Sequence, residues 1–253
     1  YLLAPLFIHF SGWKSIFIFS SAVGFITVAV WLVLCSGFKT ELKKKEKSKA
    51  PAGDFSVVGT GALLLPFIFT VIAIIIQGSL RDGVTTWMPS YISETFSLGS
   101  DISILSGVIM PVFAFLCIWA TEYLYYKIKS VQKCCFMYFS VSFIAALLIP
   151  VAVKSGAVLS VFLASLIVGS MHGINILQTC MLPRSIGNTE QLGFISGIFN
   201  GCVYIGSALS TYGFARISEI FGWNGTILVW CICSAAGGII CLCLCKNRRY
   251  GKM

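Results

Sequence analysis

Seven stretches of this chain are long and apolar enough to cross a lipid bilayer, and no other feature narrows its possible folds more. They cover about residues 15–38, 57–96, 102–126, 134–153, 157–182, 192–218 and 224–245. A hydrocarbon core of about 30 Å takes roughly 20 such residues as a helix. Inside the runs, apolar residues do not alternate with polar ones, so the runs predict helices and not the strands of a barrel. The expected fold class is all-α, a polytopic membrane helix bundle. Composition agrees: 57% of the residues are hydrophobic and 11% charged, with a mean hydropathy of +0.91. A soluble domain carries roughly a quarter charged residues. The far half of 57–96 is the least regular, because it holds Arg81, Asp82 and Glu94.

A net charge of +9 would suit nucleic acid or an anionic membrane surface. Its placement argues otherwise. With the lysine-rich segment 39–54 in the cytoplasm and the runs alternating sides, 14 of the 18 basic residues fall on that side. The opposite side holds Lys14, Lys154 and Arg216, and Arg81 is left inside a span. Lys and Arg collect on cytoplasmic loops. The expected topology is multi-pass with the C-terminus in the cytoplasm, in a plasma membrane of the bacterial inner-membrane kind, with no nucleic-acid partner.

The 11 cysteines fall almost entirely inside apolar runs. A spacing of two, as in Cys241, Cys243 and Cys245, scatters thiols around a helix. No His/Cys cluster has metal-ligand spacing. The cysteines read as small packing residues, and neither a metal nor a cofactor is expected.

The segment Phe38–Asp54 is the one extended linker, highly charged and ending near Pro51 and Gly53. An echo flanks it at long range. Phe10-Ser11-Gly12-Trp13 precedes the first full run and Phe221-Gly222-Trp223 precedes the last. A repeat six spans apart suggests two six-helix halves, as in many secondary transporters. The expected division is 1–38 as the end of an N-terminal bundle, 39–56 as a cytoplasmic basic linker, 57–246 as a C-terminal six-helix bundle and 247–253 as a cytoplasmic tail. The chain begins at Tyr1, and Tyr1–Phe10 reads as the end of a helix already in progress. The rest of an N-terminal half is therefore an expected partner.

Arg81 is the most informative residue. A guanidinium in a spanning helix costs roughly 3 kcal/mol on insertion scales, so it needs water, a counter-charge or an anionic ligand. Gln77 and Thr85, at i−4 and i+4, place three polar side chains on one face. Arg is also the side chain best shaped to grip a phosphate or carboxylate through two parallel hydrogen bonds. Two bland readings stand beside this one: Arg81 pairs with Asp82 or Glu94, or it snorkels to the outer interface.

Further along, His172, Asn175 and Thr179 share a face of the fifth run. The histidine is either a packing group or a ligand or proton-coupling group. Gly169 and Gly173 form a GxxxG pair that admits a neighbouring helix. Gly193, Gly197 and Gly201 make two overlapping steps of the same kind, followed by Asn200 and Tyr204 as candidate cavity-lining residues. No Gly-rich phosphate loop, nucleophile elbow or HExxH occurs, so no enzyme site is expected.

The stretch Leu80-Arg81-Asp82-Gly83-Val84-Thr85-Thr86-Trp87-Met88-Pro89-Ser90-Tyr91 resembles the seventh helix of the organophosphate:phosphate antiporters. These are major facilitator superfamily transporters of the glycerol-3-phosphate and hexose-phosphate type. The resemblance implies that Arg81 binds a substrate phosphate near the membrane midplane. It also makes Glu122, in Trp119-Ala120-Thr121-Glu122, the acidic residue of a degenerate cytoplasmic loop motif. Asp82 departs from the pattern. The implied function is exchange of a phosphorylated small metabolite for inorganic phosphate by alternating access, by a monomer in the bilayer. Gln77, Thr85, His172, Asn175, Asn200 and Tyr204 would contact the remainder of the substrate. Two other readings stay open: proton-coupled symport of a carboxylate or sugar on the same fold, and a membrane sensor of sugar phosphates that does not transport.

Overall fold

Inside a bilayer no water satisfies free backbone N–H and C=O groups, so each crossing must close its own hydrogen bonds as a helix. The computed structural model of the chain describes residues 7, 12–36, 61–99, 102–103, 106–186 and 192–246. Every regular element among them is helical. The chain divides into two units, Tyr1–Gly59 and Thr60–Met253. The first contains α1 (Lys14–Ser36). The second contains α2 (Gly61–Phe96), α3 (Ile109–Ile128), α4 (Val131–Ala152), α5 (Ala157–Ile176) and a final helical stretch, Leu192–Lys246. The expected linker 39–56 and tail 247–253 lie outside the described residues.

Among the described residues, six helices are long and apolar enough to span a membrane. The last has 55 residues, which at about 1.5 Å per residue is far longer than one crossing needs. Its backbone leaves helical geometry at Gly222, with φ 68° and ψ −175°. The stretch is therefore two helices, α6 (192–221) and α7 (223–246), and the described residues then hold seven helices of spanning length. An L side chain is strained at such angles, so glycine is required there. Gly12 has the same sign of φ, +76°, and it too stands immediately before a tryptophan that leads into a helix. The Gly-Trp echo in the sequence is thus also an echo in the backbone.

The boundaries differ from the expected runs in ways the local chemistry explains. α3 reaches Ile128 and is closed by Lys129, whose left-handed backbone (φ 51°, ψ 32°) turns its N–H onto Tyr125 O. α4 starts at Val131, so it takes in the polar Gln132 and Lys133. Beyond α5 the helix widens into a π turn, Leu177–Met181, before a short helix, Leu182–Ile186. Pro183 accounts for the widening, because it has no N–H to offer the Thr179 carbonyl. The Leu182 N–H reaches five residues back to Leu177 O instead, the bond that defines a π turn.

Lipid tails are as apolar as leucine, so close packing and interhelical hydrogen bonds hold such a bundle together. In the second unit α5 packs on α2, α3 and α4. The tightest approach is between α2 and α6. A Cβ on Gly206 would sit 2.1 Å from Ile75 O, and one on Gly78 would sit 2.1 Å from Val203 O. Ser79 Oγ donates to Gly206 O at 2.9 Å across this crossing. α4 meets α7 through the buried Ser142 and Ser234 hydroxyls, 2.9 Å apart, and through Phe139, whose ring lies where a Gly237 side chain would be.

Candidate functional site

The site is built on the middle of α2. That helix spans Gly61–Phe96, so its midpoint falls between Gly78 and Ser79, and Arg81 stands less than one turn beyond it. Snorkelling to an interface does not describe it: the Arg81 side chain is only 13% exposed.

Its counter-charge is adjacent. Arg81 Nε donates to Asp82 Oδ1 at 2.6 Å, and Nη2 donates to Asp82 Oδ2 at 2.8 Å. Both oxygens of the carboxylate engage two parallel donors, the strongest geometry a guanidinium offers. Of the bland alternatives, pairing with Asp82 is therefore what the structure contains. Glu94 is not a partner of Arg81; its carboxylate accepts from Trp223 Nε1 at 2.8 Å. Asp82, 29% exposed, also has the Ser207 side chain of α6 near it.

The other α2 residues have separate tasks. Gln77 is fully buried, and its Nε2 donates to Met171 O on α5 at 3.0 Å. Its Oε1 has no hydrogen-bond partner among the described residues. Thr85 Oγ1 donates to Arg81 O at 2.7 Å, so its hydroxyl proton is spent on the helix itself. On α5, His172 Nδ1 lies 2.9 Å from Val168 O. Asn175 Oδ1 is a second buried acceptor without a partner. Thr179 Oγ1 donates to Asn175 O at 2.7 Å.

Arg81, Asp82 and Ser207 are thus brought together from α2 and α6, with Gln77 bridging α2 to the turn of α5 that carries His172. Asn200 and Tyr204 are not part of this group: both are exposed, Tyr204 at 59%. Gly169 lies against Phe113 and Cys117 of α3, and Gly173 against Thr121 and Tyr138. At Gly193, Gly197 and Gly201 no described atom lies within 4 Å of where a Cβ would sit. Glu122 is exposed, next to the buried Thr121. A cleft of about 360 Å³ opens further along, lined by Tyr91, Thr95, Pro150, Val153, Lys154, Trp223 and Asn224, and Arg81 is not in its wall. Ser207 was missed in the sequence. Only its spacing from Gly206, the small residue at the crossing with α2, could have flagged it.

A stack of apolar crossings with one charged cluster held in its interior defines a multi-pass membrane protein with a polar site among its helices. Residues 1–211 match the Major Facilitator Superfamily. The chain belongs to that superfamily, whose members are membrane transporters that bind small substrates within the bilayer. No individual curated protein matches it.

Proposed function

We propose that this transporter exchanges a phosphorylated small metabolite for inorganic phosphate, with Arg81 as the group that grips the phosphoryl oxygens. The observation that carries this reading is the Arg81 fork: nearly buried, near the middle of α2, and engaging both oxygens of a carboxylate through two parallel donors. A phosphoryl group offers the same pair of oxygens at similar spacing. Gln77 Oε1 and Asn175 Oδ1, both buried acceptors without partners, suit the hydroxyl donors of a sugar or glycerol moiety. The Gly-Trp backbone echo at Gly12 and Gly222 supports two related halves, α1 belonging to one and α2–α7 to the other. The cytoplasmic C-terminus in a plasma membrane and the monomeric state belong to the same proposal.

A second reading, proton-coupled symport of a carboxylate or sugar, is favoured by His172, which stands on the α5 turn that Gln77 ties to α2 one turn before Arg81. Uptake of labelled sugar phosphate into proteoliposomes separates the two. Exchange predicts that phosphate inside the vesicles is required and that a pH gradient is not. Uptake driven by a pH gradient with no internal phosphate would remove the exchange reading.

A further inference from the structure

We propose that Asp82 is a built-in competitor of the anionic cargo, displaced from Arg81 on loading and then paired with a His172 that has taken up a proton. The inference rests on the reading of Arg81 as the anion fork and adds to it a coupling step.

Arg81 Nε and Nη2 are both engaged by the Asp82 carboxylate. These are the donors that a phosphoryl group would use, so an anion engaging them must first move Asp82 away. The displaced carboxylate remains on α2 in a half-buried position, where a charge without a partner is costly. Two groups are placed to receive it: the Ser207 hydroxyl, near Asp82, and His172, on the α5 turn that Gln77 ties to α2 one turn before Arg81.

His172 is prepared for that role. The Val168 carbonyl can only accept a hydrogen bond, so the 2.9 Å contact fixes the proton on Nδ1. A neutral ring in that tautomer keeps a bare lone pair on Nε2. With Arg81 balanced by Asp82, a neutral imidazole leaves the cluster at net zero charge. When an anion takes Arg81, Asp82 carries an uncompensated negative charge. One proton from water, added to Nε2, makes an imidazolium and restores the balance. Unloading reverses both transfers: Asp82 returns to Arg81, and the proton returns to water.

On α3 and α4, which also pack on α5, the charged residues Glu122, Lys127 and Lys133 are exposed. On α6, Arg216 and Glu219 pair with each other at 2.9 Å on the surface. On α7 the single charged residue is Lys246, at its far end. Glu94 is held by Trp223.

The test is equilibrium binding of inorganic phosphate to the full-length protein in detergent, with proton uptake followed in weak buffer. Histidine changes charge in the range of about pH 5–8, so binding to the parent tightens as pH falls through that range. Comparison with His172→Gln cancels the titration of phosphate itself. The parent takes up one more proton per phosphate bound than His172→Gln does. Asp82→Asn binds phosphate about tenfold or more tightly at the alkaline end, the factor lost when a competitor leaves about a tenth of the sites competent, and it loses the extra proton. Equal proton uptake by parent and His172→Gln overturns the proposal, and this measurement does not depend on how well Asp82→Asn folds. Unchanged or weaker binding by a folded Asp82→Asn, with Arg81→Gln failing to bind, also overturns it while leaving the anion fork intact. Phosphate binding by Arg81→Gln as tight as by the parent removes the anion fork itself.

Discussion

Replacing Gly206 with alanine probes the crossing that holds Arg81 in position. The new Cβ would stand 2.1 Å from Ile75 O and 2.9 Å from Ser79 N. Both are backbone atoms of α2, so no side chain can swing aside. Reaching an ordinary contact of about 3.4 Å asks the two helices to part by about 1.3 Å. Overpacking of this kind costs about 1–3 kcal/mol. The Ser79–Gly206 bond stretches with it, adding about 0.6 kcal/mol, the average for interhelical bonds in membranes. The expected loss is about 2–4 kcal/mol. Gly213, on the same helix, has no described atom within 4 Å of where a Cβ would sit. Alanine there should be neutral, or should gain up to about 1 kcal/mol from helix propensity. Thermal unfolding of the two variants in detergent, read side by side, checks the contrast. Gly78 stands three residues before Arg81 at the same crossing, so a shift there also moves the fork. A misplacement of about 1 Å can cost about 100-fold in a site that depends on geometry, and transport by Gly206→Ala should fall more than its stability does. A Gly206→Ala variant that melts and transports like the parent would refute this account of how α2 is held.

Gly222→Ala must adopt φ 68° with a side chain, which costs about 1–3 kcal/mol; a lowered melting temperature with the helical content of the parent is expected, and an unchanged one would remove the claim that glycine is needed at the break. The Ser142–Ser234 bond between α4 and α7 should show a coupling of about 0.6 kcal/mol, and not above about 1.7, in a double-mutant cycle with alanine at each position. Trp223→Phe deletes the donor to Glu94 Oε2 while keeping an aromatic ring against Tyr91. Because that bond is exposed, its loss should lower stability by no more than about 1 kcal/mol, and a larger drop in a melting curve would give the bond a weight its exposure does not predict.

The helices were legible in the sequence because a bilayer leaves a spanning chain almost no alternative to a helix. The break at Gly222 was legible through the Gly-Trp echo. The π turn was not read, although Pro183 carries the signal, because hydropathy does not register a single missing N–H. Arg81 was legible as an interior charge, whereas its bidentate hold on Asp82 was only one of several open pairings. Side chains on adjacent helical residues project about 100° apart, and spacing alone does not tell whether a long arginine folds back across that angle. The glycine stripe at 193, 197 and 201 was the conspicuous pattern on α6, yet the close approach is at Gly206, five residues beyond its end. GxxxG spacing marks a smooth face without saying which neighbour meets it, and that choice depends on the packing of α2. For the same reason Asn200 and Tyr204 share a helix with Ser207 but not its position beside Asp82.

The central claim, that Arg81 is an oxyanion fork, is tested most directly by phosphate binding to the full-length protein with Arg81 replaced by lysine. Lysine keeps the charge and loses the two parallel donors. The account predicts that phosphate binds Arg81→Lys about tenfold or more weakly than the parent, a difference of about 1.4 kcal/mol. Equal affinity in a folded Arg81→Lys protein would contradict it, because charge alone would then suffice.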